Sequence, residues 1–195
     1  MAGMTKREEI IQAAAELFAS VGYRATSYAA IAEKLGMHRN ALQHYIPSKP
    51  KLAHEVAWAP FKNGAFLAPD VSPAGGAATR GTAAVLSIVR HVGALYVSDV
   101  AARASMRLME ERAIIPADLP VPFRPWLGPI AGHLREAIDD GDVDSDVDVD
   151  DLAWRIVSSF AGARLVGEML DEIDAFPEKA LRTTEDLLRA HRPQG

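Results

Sequence analysis

The 195-residue chain has no cysteine, which removes disulfide staples, thiolate metal sites and a cysteine nucleophile together. Aromatic residues are scarce at 7%, and 14 Gly with 12 Pro fall well short of a fibrous or low-complexity composition. Long apolar runs are missing too: Arg, Asp or Gly interrupts every stretch, and none approaches the roughly 20 apolar residues that span a bilayer. No membrane partner is expected. The opening MAGMTKREE turns charged and helical at once instead of leading into an apolar signal core, so export is not expected and a cytoplasmic location is. No G-x-x-x-x-G-K-[ST], G-x-S-x-G or H-E-x-x-H occurs, so catalysis has no visible home and the chain reads as no enzyme.

What is present is 49% hydrophobic residues, enough to build a core in one or two domains. The net charge of −5 hides an asymmetry: Met1 to Glu55 holds seven Lys/Arg against five Glu, a net +2, leaving −7 for the remainder. A small basic module on an acidic body is compatible with nucleic-acid binding through one end.

Helical periodicity runs through nearly the whole chain. Thr5 with Glu8 makes a capping box, and Ile10, Ile11, Ala14, Leu17, Phe18 and Val21 follow at helical spacing until Gly22. Ser27 caps a second helix through Leu35, and Gly36 supplies a left-handed stop. A third helix runs from about His38 to Tyr45, burying Met37, Ala41, Leu42 and Tyr45. Ser48 caps a fourth from Lys49 to about Phe66, with a kink expected at Pro60. Pro69 to Gly81 reads as a linker. Further helices are expected at about 82–98, 100–111, 124–140, 149–172 and 177–190. The fold class is therefore all-α.

Ala32, Gly36 and Leu42 form the spacing A-x3-G-x5-L, suited to two short helices across a tight turn. The small residue permits close approach, Gly takes the positive φ, and Leu points back into the core. The helix after the turn then exposes His38, Arg39, Asn40, Gln43 and His44, a set of side chains suited to base edges and phosphates. Many helical hairpins share a glycine turn, so the spacing alone leaves a purely structural hairpin open.

Over Arg7 to Val56 the chain closely resembles the DNA-binding domain of the TetR family of transcriptional repressors. Ile11, Ala14, Leu17, Phe18, Gly22, Tyr23, Thr26, Ser27, Ile31, Ala32, Gly36, Leu42, Lys49 and Leu52 carry the likeness. The resemblance implies a helix-turn-helix domain over residues 1–55 and a ligand-binding and dimerisation domain over 56–195. It implies a homodimer on double-stranded operator DNA that a small-molecule inducer releases. It also implies that Thr26 or Ser27, and Lys49, contact phosphates at helix starts. Where the family usually reads L-Y-x-H-F-x-S-K, this chain reads Leu42-Gln43-His44-Tyr45-Ile46-Pro47-Ser48-Lys49, so Gln43 replaces the usual phosphate-binding Tyr.

From about Arg103 to Glu168 the chain also looks like the γ-butyrolactone receptor branch of that family. The resemblance makes Trp126, after the Pro-rich turn, a pocket residue. It puts Ala161, within Phe160-Ala161-Gly162, where the branch often has a ligand-facing Thr. By composition alone Trp126 reads first as a core aromatic anchoring a Pro-rich corner, and only the resemblance brings the ligand contact level with it. Val85, Leu86, Val89, Val92 and Leu95 form a helical stripe that serves a core or, through Val89, a pocket. The apolar positions Leu127, Ile130, Leu134 and Ile138, with Ile156, Phe160, Val166 and Leu170, are expected across a two-fold axis.

Eight Asp lie between Asp139 and Asp151, but an EF-hand starting at Asp140 would place Ser145 at its glycine position and Asp151 at its bidentate Glu position. A solvated loop capping the next helix fits better. His38, His44 and His54, six and ten residues apart, share no helical face, so neither metal nor cofactor is expected. The competing readings are a small all-α enzyme or carrier using an apolar cavity, and a regulator whose pocket is vestigial.

Overall fold

Residues 3–69 and 79–193 are described by the computed structural model, and among them nine α-helices and two 3₁₀ turns form and no strand does. The helices are α1 (Lys6–Ala25), α2 (Tyr28–Lys34), α3 (Arg39–Tyr45), α4 (Lys49–Lys62), α5 (Gly81–Ser98), α6 (Val100–Glu110), α7 (Arg124–Asp139), α8 (Val149–Met169) and α9 (Phe176–Ala190). The 3₁₀ turns are Arg112–Ile114 and Ile173–Ala175. The all-α expectation holds, while most of the linker expected from Pro69 to Gly81 lies outside the described residues.

The start signals act as read. The Thr5 hydroxyl accepts the Glu8 N–H at 3.3 Å and the Glu8 carboxylate accepts the Thr5 N–H at 2.7 Å, closing the capping box. Ser27 and Ser48 accept from Ala30 and Lys51 at the starts of α2 and α4. Asp148 caps α8 by accepting from Asp150 and Asp151, which accounts for the end of the acidic loop. Two ends differ from expectation. Gly22, at φ 79 and ψ 177, breaks α1, but one more turn resumes to Ala25. α4 passes Pro60 and stops at Lys62 instead of Phe66, because Gly64 turns left-handed at φ 73 and the Asn63 side chain accepts the Ala65 N–H.

By packing, the chain forms two units, one of residues 1–65 with 99–122 and one of 66–98 with 123–195. In the first, α1 lies against α4 and α6 over a core that includes Ile10, Phe18, Ile31, Leu42, Ile46, Leu52, Val56 and Leu108, each fully buried. The buried Ser105 hydroxyl donates to Ala57 O at 2.6 Å, fastening α6 to α4. The Tyr28 hydroxyl donates to Ile46 O, and this bond ties α2 to the end of α3.

In the second unit α5 and α8 each pack on both α7 and α9, giving a four-helix arrangement in which α5 faces α8 across the centre. At Gly93 an added Cβ would sit 3.2 Å from the Pro177 side chain, so this glycine lets α5 and α9 approach closely. α5 is 18 residues long with a mean hydropathy of 1.2, which by length and composition alone would suffice for a membrane span. Its buried residues, Ala84, Val85, Val89, Val92 and Tyr96 among them, belong instead to the core of this unit.

The expected outward face of α7 and α8 is redrawn. Ile130, Leu134, Ile156 and Phe160 are buried within the chain itself. Apolar side chains that do face outward lie further round α8: Trp154 at 61% exposure, Leu165 at 51%, Val166 at 53%, Met169 at 76% and Leu170 at 59%.

Candidate nucleic-acid interface and ligand cleft

The helix-turn-helix forms where the A-x3-G-x5-L spacing placed it. Ala32 is buried, Gly36 adopts φ 61 with open space around its Cα, and Leu42 is fully buried. Gly36 is thus required by backbone conformation and not by crowding. Fixing Leu42 inward turns the rest of α3 outward. Arg39, Asn40, Gln43 and His44, with His38 just before the helix, are all exposed, and none of their side chains forms a hydrogen bond or ion pair to another described residue. They present donors and acceptors on a single short helix, the arrangement needed to enter a major groove. Tyr45, expected inside, is 44% exposed, because Ile46 fills the core at that point instead.

The three residues implied at helix starts separate. Thr26 is buried, and its hydroxyl donates to Gly22 O at 2.7 Å, closing the last turn of α1. Ser27 is exposed at the start of α2. Lys49 points inward: its ammonium donates to Tyr23 O and Thr26 O, each at 2.7 Å, and lies 4.0 Å above the Tyr23 ring. Burial lowers the Lys49 pKa, and the negative charge of Glu111 partly opposes that shift. Two of the three ammonium N–H groups are therefore committed to holding a turn. Arg24, beside it, is exposed. His54 is a packing residue: its Nδ1 meets Asp118 O at 2.6 Å, and the Trp58 indole donates to the same carbonyl at 3.2 Å.

The second unit holds an apolar cleft lined by Ile88, Val89 and Val92 of α5, Trp126 and Ile130 of α7, and Ile156, Val157 and Phe160 of α8. Trp126 and Val89 thus meet in one place, while Ala161, half-buried, is not among the lining residues. The space open to a water-sized sphere is about 20 Å³, room for one water molecule. Aromatic rings fill the rest. Trp126 contacts Phe66 and Phe123 at 5.7 Å each and Phe160 at 6.1 Å; Phe160 meets Phe176 at 4.9 Å, and Phe176 meets Tyr96 at 5.9 Å. Six of the chain's thirteen aromatic residues form this row, so their scarcity elsewhere reflects concentration here.

The row ends on a polar group that sequence reading missed. The Tyr96 hydroxyl donates to the Glu168 carboxylate, and the buried Arg164 guanidinium donates to Glu168 at 2.8 Å and to the Tyr96 oxygen at 3.2 Å. Burial, and then the bond to Glu168, pushes the Tyr96 pKa up to about 12. This cluster clips α5 to α8 beneath the cleft. The i,i+4 spacing of Arg164 and Glu168 is visible in the sequence, but their distant partner is not.

The comparisons agree with this geometry. Residues 10–56 match the model of bacterial regulatory proteins of the tetR family, and residues 81–191 match the tetracyclin repressor-like C-terminal domain. Among solved structures, one described as the molecular basis for control of antibiotic production by bacterial hormones is 28% identical, with a TM-score of 0.80 over 98% of this chain and 100% of that one. CprB from Streptomyces coelicolor in complex with its biological operator sequence is 29% identical, with a TM-score of 0.76 over 96% of this chain and 88% of that one. A γ-butyrolactone receptor, ArpA-like, is 29% identical at a TM-score of 0.71, again over 96% and 88%. No curated protein sequence matches the chain. With one family model covering the helix-turn-helix and the other more than half of the chain, the protein belongs to the TetR family of bacterial regulatory proteins.

Proposed function

We propose that this TetR-family DNA-binding regulator is a repressor, released from its operator by a small apolar signal of the γ-butyrolactone type. The observation that carries the ligand half of this reading is the cleft: eight apolar or aromatic side chains from three helices converge on it, and the indole of Trp126 brings the lining's one N–H donor. The likeness to a γ-butyrolactone receptor supports the same class. Residues 1–55 read DNA and residues 56–195 bind the signal and dimerise. Ser27, His38, Arg39, Asn40, Gln43 and His44 face the operator, with Thr26 and Lys49 holding the turn from which Ser27 reaches phosphate. The functional particle is a homodimer joined through the outer face of α8, since an exposed run of Trp154, Leu165, Val166, Met169 and Leu170 marks a buried interface more readily than a solvent surface. Signal binding favours a dimer conformation whose two recognition helices no longer match successive major grooves.

Arg39 tests the DNA half. Its guanidinium is exposed and unpaired at the start of α3. Arg39→Ala is expected to weaken binding to the preferred operator by about 1–3 kcal/mol and to relax preference at one base pair. Fluorescence anisotropy against duplexes varied at each position measures both effects. Wild-type affinity together with unchanged base preference would remove α3 from the interface.

A further inference from the structure

We propose that Glu111 and Arg107, which lie on α6 and its C-terminal cap away from the exposed face of α3, are positioning residues for operator recognition. They clamp the broken end of α1, from which the helix-turn-helix departs.

The need for a clamp begins at Gly22. Its φ of 79 and ψ of 177 interrupt α1 and leave backbone groups around the break without helical partners. α6 supplies those partners. The Arg107 guanidinium donates to Ala19 O at 3.0 Å and Ser20 O at 3.1 Å, while the Glu111 carboxylate accepts the Tyr23 N–H at 2.9 Å. Arg107 Nε holds the other carboxylate oxygen at 3.3 Å, so the two side chains act as one rigid fork. From α4, Lys49 grips Tyr23 O and Thr26 O. The five residues from Gly22 to Thr26 are thus held by side chains of two other helices, and the next residue is Ser27, the cap of α2. Glycine stands at position 22 because φ 79 with ψ 177 is open almost only to glycine, and its missing side chain leaves the space that the Glu111 carboxylate occupies.

The consequence for recognition is geometric. α2 and α3 are seven residues each, too short to be stable alone, and Tyr28 binds them into one piece. The direction in which that piece leaves α1 is set where the chain enters it, at the clamped turn. Non-specific attraction between cations and phosphates tolerates a change in that direction, whereas base contacts do not.

The test compares full-length wild type with Glu111→Ala, Glu111→Gln and Arg107→Lys. The probes are a duplex selected by the wild-type protein from a random-sequence pool and an unrelated duplex of equal length. Glu111→Ala is expected to bind the selected duplex about tenfold more weakly, the size of one lost base contact, with affinity for the unrelated duplex kept within about twofold. Hydrogen exchange should show the Tyr23 amide losing protection. Glu111→Gln, whose amide oxygen still accepts that N–H, is expected to recover most of the loss, and Arg107→Lys, which keeps the charge without the two-carbonyl fork, to fall between. Wild-type affinity of Glu111→Ala for the selected duplex, with Tyr23 deprotected, overturns the proposal. So does an equal loss on both duplexes accompanied by a lower melting temperature, which would make the fork a support of the fold only. If Glu111→Ala does not fold, Arg107→Lys with wild-type discrimination between the two duplexes overturns it as well.

Discussion

Leu165→Asp combined with Met169→Asp is expected to convert the particle to a monomer at micromolar concentration and to remove specific operator binding almost entirely. Both side chains are more than half exposed within the chain, one turn apart on α8, so the substitutions leave the core of Ile156, Phe160 and Phe176 untouched. Helical content and the packing of the protomer should therefore survive. At a two-fold interface each carboxylate would appear twice, facing apolar side chains and its own symmetry mate without a counter-charge. The operator effect is large because dimers of helix-turn-helix proteins bind two half-sites together, and a single unit retains little beyond phosphate attraction. A fall of about three orders of magnitude or more is the ordinary gap between specific and non-specific affinity. Light scattering and anisotropy check the two parts separately, and a dimer that keeps operator affinity would place the interface on another surface.

Trp126→Ala is the second large effect, and it divides two roles for one ring. Trp126 lies in the first turn of α7, half-buried, between Phe66 and Phe123 on one hand and Phe160 on the other. If the indole is a ligand contact, the variant keeps operator affinity within a few-fold but no longer releases DNA when a synthetic alkyl γ-butyrolactone is added. If it is only a wall, truncation lowers stability and damages operator binding and release together. Full burial of an aromatic side chain would make that truncation cost about 3–5 kcal/mol. The partial exposure of Trp126 places the expected cost below that range, which favours the loss of response as the dominant outcome. Thermal melting, operator affinity and lactone response of the same sample decide. A folded variant that releases DNA like wild type removes Trp126 from the site.

The elements with local signals were the legible ones. Thr5 with Glu8, Ser27 and Ser48 marked helix starts because a cap depends on residues within one turn, and Gly36 marked the corner because only its own φ mattered. Leu42 facing inward followed from spacing, and with it the outward set from His38 to His44. Periodicity says that a helix face is apolar without saying what covers it. Ile156 and Phe160 were therefore grouped with Val166 and Leu170, although the first pair packs inside the chain and the second faces out. Lys49 shows the same limit for charge. The family resemblance implied a phosphate contact for it, yet carbonyls 23 and 26 residues earlier in the chain occupy two of its donors. Glu111 meets Tyr23 across 88 residues and Arg164 meets Tyr96 across 68, and no local pattern announces such pairs. The cleft itself was half legible: Val89 and Trp126 belong to it, while Phe66, Phe123 and Phe176 were invisible as partners because each contributes a single ring from a different segment.

The near-closure of that cleft governs timing as well as fit. A space for one water molecule admits no lactone with an alkyl tail, so if the proposed signal binds here, the rings around Trp126 and Phe160 part before it enters. Arrival then becomes a two-step event in which the protein's own fluctuation precedes capture. On that reading the rate of association is expected to level off with rising signal concentration at the frequency of opening, instead of climbing in proportion. Departure waits on the same motion. On the proposed function such a regulator is expected to pass over brief pulses of signal and to answer sustained ones, with the packing of the six rings setting the delay.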